Sequence, residues 1–150
     1  MTSLSIPREL LVAFCCLQAL ATAALDLNHT HATNPQWTGH ARFHLVQQTA
    51  SIALLAVLEV FLILAGGPLQ RQRFYLAATL AAIPLLGFCA AWIGRRIYGG
   101  TLSDPNGIPP LILKIRGSHL QIDLNTVIVP GGLLALAAVI ALYSHSVVTP

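Results

Sequence analysis

Four of the six histidines of this 150-residue chain stand between Leu27 and Gln48, in the polar stretch L-N-H-T-H-A-T-N-P-Q-W-T-G-H-A-R-F-H-L-V-Q-Q. His40 and His44 are four apart. A helix beginning near Trp37 or Thr38 would set both imidazoles on one face, the spacing at which two histidines hold one divalent metal ion or share a proton. On a wheel of about 100° per residue, Gln47 and Ser51 continue that face, and Glu59 falls within roughly a quadrant of it. The expectation is a polar ridge running from the surface into the apolar part of the chain. His29 and His31 come from the other end of the stretch and can close over the same point. Asp104, His119 and Asp123 are further candidates for ligands or hydrogen-bond partners.

Two chemistries fit this set: ligation of a divalent metal or a haem by His40 and His44, and acid-base catalysis by the same pair. A structural or pH-sensing role stands beside them, because interfacial histidines also bond water, headgroups and free carbonyls. Position 41 is Ala, so the His40–His44 pair lacks the glutamate of a metalloprotease helix. No second HxxxH or HxxHH cluster is present, so the pattern of membrane di-iron oxygenases is absent.

Glu59 lies well inside an apolar run, where a charged carboxyl facing lipid costs about 2.5 kcal/mol or more. It is expected to face protein, either as a functional acid or as a neutral group bonded to a neighbouring helix through Thr79 or Tyr75. Asn34-Pro35 reads as a turn, and Trp37 as an interfacial ring with a wet N–H. Arg42 points away from His40 and is expected to reach headgroup phosphates. Asn28-His29-Thr30 matches a glycosylation acceptor but lies almost against the membrane, which argues against its use.

These residues are held by elements of very plain composition. Hydrophobic residues make up 55% of the chain and charged ones 9%, with mean hydropathy +0.72, which excludes an ordinary soluble domain. Eight basic residues against five acids are too few and too scattered for nucleic-acid binding. Cys15, Cys16 and Cys89 all fall in apolar runs and form no CxxC, so they read as packing residues.

The apolar residues form four runs, predicting an all-α four-helix transmembrane bundle, a single membrane domain over 1–150 with spans near 8–27, 45–66, 74–94 and 126–148. Arg8, Leu10–Leu20 and Ala21-Thr22-Ala23 also resemble a signal peptide, but Glu9 and the continued run to Leu25 favour an uncleaved first helix. Gly66-Gly67-Pro68 ends the second helix and the short Leu69–Arg73 link turns the third antiparallel to it. Pro84 should kink the third helix. Gly66-Gly67, Gly99-Gly100 and Gly131-Gly132 are read as helix ends. Between helices three and four lies one long polar loop, 97–125. Its turn signals, Ser103-Asp104-Pro105-Asn106-Gly107, precede Leu111–Arg116 and His119–Leu124, which read as a short hairpin lying at the membrane surface or as extended, non-strand chain.

Four spans put both termini on one side and the 27–44 and 97–125 loops together on the other, where they should build a polar pocket. Basic residues number three on the terminal side (Arg8, Arg71, Arg73) and five opposite (Arg42, Arg95, Arg96, Lys114, Arg116). The larger count sits in longer loops, so the positive-inside rule votes weakly, and the signal-like start favours termini inside. The partners this architecture implies are the lipid bilayer and either a second copy or another membrane protein.

The segment Asn28-x-Thr30-His31-x-x-Asn34-Pro35-x-Trp37-x-x-His40-Ala41-Arg42-Phe43-His44 resembles that of an uncharacterised family of small four-helix integral membrane proteins, in which such a loop leads into the second helix. The resemblance covers about 17 residues and departs at Thr38, where that family tends to carry Pro. It implies a shared fold and a shared polar cluster at Asn34, Trp37, His40, Arg42 and His44. The function expected is that of a binding or accessory membrane protein with a histidine-rich polar site at one surface; the alternative is a membrane-embedded metal-dependent or acid-base enzyme.

Overall fold

The computed structural model describes residues 6–104, 107–115 and 117–148, without the side chains of Val147 and Val148. The turn residues Pro105 and Asn106, and Arg116 of the expected first strand, fall outside them. The described chain forms helices α1 (Ile6–Asp26), α2 (Gly39–Leu64), α3 (Gln70–Gly94) and α4 (Asn125–Val148), with a hairpin of β1 (Leu111–Ile115) and β2 (Ser118–Ile122) before α4. Every helix is long and apolar enough to cross a bilayer. The architecture is thus the all-helical, multi-pass membrane bundle that the four runs demand. α1 packs on α2, α2 on α3, α3 on α4, and α4 closes back on α1.

α2 begins well before its apolar run. Thr38 is the N-cap, extended at φ −63° and ψ 151°, and its hydroxyl accepts the Ala41 N–H at 3.2 Å. This cap needs a side-chain hydroxyl, which proline would not supply. The start at Gly39 places His40 and His44 on the helix.

The core is built from Leu11 and Cys15 of α1, Ile63 of α2, Phe74, Ala77, Ala78 and Ala81 of α3, and Leu136, Val139 and Tyr143 of α4. The three alanines let α3 approach its neighbours closely, as helices do in lipid, where small residues drive packing. Phe74 and Tyr143 stack with centroids 3.7 Å apart and planes 13° from parallel. Outside this core, Leu54, Val57, Phe61 and Leu134 are 67–72% exposed, which is the surface that hydrocarbon covers.

Two arginines finish the terminal end of the bundle. Arg8, only 7% exposed, donates to the Ile63 carbonyl, while Arg73 donates to the carbonyls of Ala65 (3.3 Å) and Gly66 (2.6 Å). Both cap the C-terminus of α2, whose last carbonyls have no partner within the helix. α3 runs on through Pro84, which offers no N–H to Leu80. In the same turn the Ala81 carbonyl accepts the Gln18 amide of α1 at 3.3 Å.

The glycine pairs divide. Gly67 (φ 103°) takes left-handed backbone just past the end of α2, as expected, and Gly99 (φ 71°) does so in the turn that follows α3. Gly131-Gly132 does not, because it lies inside α4. Gly132 faces Leu85 of α3, where a Cβ would stand in ordinary contact at 3.4 Å from Leu85 Cδ1.

Candidate functional site

The loop from Leu27 to Thr38 is knotted by two asparagines. Asn28 Nδ2 donates to the carbonyls of Ala24 (2.8 Å) and Leu25 (2.9 Å), capping α1. Its Oδ1 accepts from Thr30 N (2.8 Å) and Thr30 Oγ1 (2.7 Å). The Thr30 hydroxyl has one proton, already given to Asn28, so its 2.7 Å contact with His31 Nδ1 makes that nitrogen the donor. Asn34, 3% exposed, donates from Nδ2 to Thr30 O (3.2 Å), accepts Gln36 N on Oδ1 (3.0 Å) and Trp37 N on its carbonyl (3.2 Å). The turn at Asn34-Pro35 is thereby tied to the loop start.

This knot turns Trp37 inward. Its ring stands edge-on to His31, with centroids 5.2 Å apart and planes at 74°. Trp37 Nε1 is buried without a hydrogen-bond partner. The wet N–H expected of an interfacial tryptophan is not what the chain builds, because the ring folds under the long loop. Leu25, His31 and Trp37 line a cavity of about 310 Å³, closed on the other side by Thr101–Asp104, Gly107–Pro109, Asp123–Asn125 and Ile128. The two loops therefore meet at one end of the bundle in a pocket. Two carboxylates, Asp104 and Asp123, stand in its wall, and no Lys or Arg does among the described residues. Asp123 Oδ1 accepts the Asn125 N–H at 2.9 Å at the start of α4.

Below His31, the last residue of α1 joins the site. The Thr49 hydroxyl contacts Asp26 Oδ2 (3.3 Å) and Leu45 O (3.0 Å), and the Asp26 carboxylate lies within electrostatic reach of His31. Sequence reasoning passed over Asp26. Its signal was an acid closing an apolar run immediately before the polar stretch.

His40 and His44 form a pair of their own, with Nε2 atoms 3.1 Å apart and rings crossed at 89°. His44 Nδ1 lies 3.4 Å from Gln47 Oε1, and Ser51 Oγ donates to Gln47 O at 2.8 Å. All four residues are exposed on the outer side of α2, while Arg42 is half-buried on the side that faces the bundle. The four histidines of the polar stretch do not converge: His40 and His44 pair on α2, His31 belongs to the cavity and His29 is exposed, while His119, a fifth, is on the hairpin. Among the described residues no three His, Cys, Asp or Glu side chains gather to hold a metal ion.

Nor does the ridge reach Glu59. Glu59 belongs to the packed stripe Thr49, Ile52, Ala56, Glu59, Ile63, about 22 Å along the helix from His44 at ~1.5 Å per residue. It is 1% exposed, and its partner is the Cys15 thiol of α1. The expected partners are elsewhere: Thr79 is exposed and bonds the Tyr75 carbonyl at 2.8 Å.

The fold and this site define a small four-span helical membrane protein with a pocket where two loops meet, mostly apolar in its lining and carrying His31, Asp104 and Asp123, rather than the polar pocket expected. Compared with known proteins, the chain matches no family model, no curated protein and no solved structure.

Proposed function

We propose that this chain is a membrane-integral binding protein whose working site is the cavity between the 27–38 and 97–125 loops, and that its ligand carries a positive charge and a hydrogen-bond acceptor. The observation that carries this reading is Trp37 Nε1, a buried donor with no acceptor in a residue of the cavity wall. Such a group costs about 1–3 kcal/mol, a cost that an incoming acceptor removes. Asp123 and Asp104 supply negative charge, and the Trp37 ring a face for a cation. A zwitterionic headgroup, free or on a lipid, has both features. Asn34, Trp37, His40, Arg42 and His44 are the cluster expected from the resembling family, with Asn34 and Trp37 assigned here to building the cavity.

The test uses the Trp92→Phe variant, in which Trp37 is the one remaining indole. Phosphocholine should shift its emission saturably, tetramethylammonium more weakly, and Asp123→Asn, which keeps the cap oxygen, should abolish both responses. Emission unmoved by phosphocholine, tetramethylammonium and inorganic phosphate contradicts the reading.

A second reading rests on the 3.1 Å contact between His40 and His44. Two ligands of a tetrahedral zinc ion, each at about 2.0–2.1 Å, stand ~3.3 Å apart, so the pair fits two corners of such a site. Structural and catalytic zinc takes three or four protein ligands, and the described residues supply two. The pair alone is better suited to sharing one proton, as an acid-base group or a pH sensor. Its exposed face, with Phe43 and Gln47, is where a second copy or another membrane protein would dock.

A further inference from the structure

The hairpin has two unlike faces. Its register pairs Leu111 with Ile122, Leu113 with Leu120 and Ile115 with Ser118, which sets five aliphatic side chains on one face. The intervening pairs, Ile112 with Gln121 and Lys114 with His119, set three polar groups on the other. On the apolar face Leu111, Leu113, Ile115 and Leu120 are 37–53% exposed. Among the described residues, the strands pack mainly on each other and no helix covers that face. A two-stranded hairpin with a bare apolar face is marginal in water.

The position of the hairpin says what covers it. β2 ends at Ile122 and the spanning helix α4 starts at Asn125, a step of at most about 10 Å at ~3.3 Å per residue. The base of the hairpin is therefore held at the membrane surface. Residues 107–122 contain Lys114 and Arg116 and no acid, a charge that suits anionic headgroups. Each strand also has an open edge of backbone groups, which hydrocarbon would leave unpaired but the headgroup layer can satisfy.

We infer that the hairpin is a membrane-lying element: the Leu111–Leu113–Ile115–Leu120 face rests in the headgroup–acyl boundary of the leaflet from which α4 starts, and Lys114, His119 and Gln121 face water. This places a two-sided β element where amphipathic helices usually serve. It also gives the 97–125 loop a floor of lipid, independent of what the cavity binds.

The experiment reads the alternation directly. An environment-sensitive fluorophore is attached at Leu113→Cys, Leu120→Cys, Lys114→Cys or Gln121→Cys in the full chain. The protein is reconstituted in phosphatidylcholine vesicles with and without phosphatidylglycerol, and the unsubstituted chain supplies the background. Lipid-bound doxyl groups should quench the labels at 113 and 120 and spare those at 114 and 121, while aqueous iodide does the reverse. Phosphatidylglycerol should deepen the lipid quenching. Equal quenching of all four sites by either agent overturns the inference. So does shielding of 113 and 120 from both agents, which would mean that a second copy or another protein covers the face.

Discussion

The Trp37 indole stands edge-on to the His31 imidazole at 5.2 Å, and this contact joins the start of the polar loop to its end. It holds only while Asn34 ties both segments together. Asn34→Ala removes the side-chain hydrogen bonds to the Thr30 carbonyl and from the Gln36 N–H, for an expected loss of about 1–3 kcal/mol. Thermal unfolding in detergent should show that loss together with a red-shifted Trp37 emission. An unchanged emission would mean that the loop holds without its knot.

Glu59 predicts a sharp order among substitutions. Glu59→Gln should keep fold and expression, because the amide retains an acceptor for the Cys15 thiol. Glu59→Lys should cost several kcal/mol, since a charge would be buried with no acid opposite. Tolerance of the lysine in a melting experiment would place this position in contact with water or headgroups.

His40 and His44 should act as one unit. If they share a proton or an ion, each change to Ala removes most zinc retention or most of the pH response of Trp37 emission, and the double change adds little. Small, additive losses would identify two independent interfacial imidazoles. Both rings protonated leave no acceptor for the 3.1 Å contact, so acid should separate them.

Gln18 and Pro84 should be coupled. Gln18→Leu deletes the donor to the Ala81 carbonyl in the turn that Pro84 opens, at a cost of about 1 kcal/mol. In a Pro84→Ala chain the regained N–H goes to the Leu80 carbonyl and closes the turn that holds Ala81, so the Ala81 carbonyl turns less toward α1 and the same change should cost less. Equal costs in a double-mutant cycle would uncouple them.

The four helices were legible because lipid allows only continuous apolar runs to cross it, and such runs need no knowledge of neighbours. The hairpin was legible as one of two readings: two strand-like segments flanked Gly117-Ser118, but alternation was clean only from His119 onward, and the left-handed Gly117 (φ 85°) is what turns the chain back. Residues whose role depends on a distant partner were not readable. Glu59 was rightly expected to face protein, but its partner, Cys15, comes from another helix and looks in sequence like any aliphatic filler. Arg8 resembled the basic end of a signal peptide, yet its guanidinium caps α2. The wheel put Glu59 near the histidine face because it measures angle alone, and a difference of about a quadrant separates a lipid-facing side from a packed one. Trp37 met the composition rule for an interface, and the fold of its loop decided which way the N–H faces.

The claim on which the pocket depends is that the Gln36 loop and the Ser103 loop share one membrane surface, with the α2–α3 link and the exposed first turn of α3 on the other. The direct measurement is labelling of Gln36→Cys, Ser103→Cys and Gln72→Cys in sealed vesicles with a membrane-impermeant maleimide; Cys15, Cys16 and Cys89 lie within the spans, so the parent chain is the blank. Positions 36 and 103 should react from one side and position 72 from the other. Reaction of 36 and 72 from the same side would contradict the four-span fold and the pocket with it.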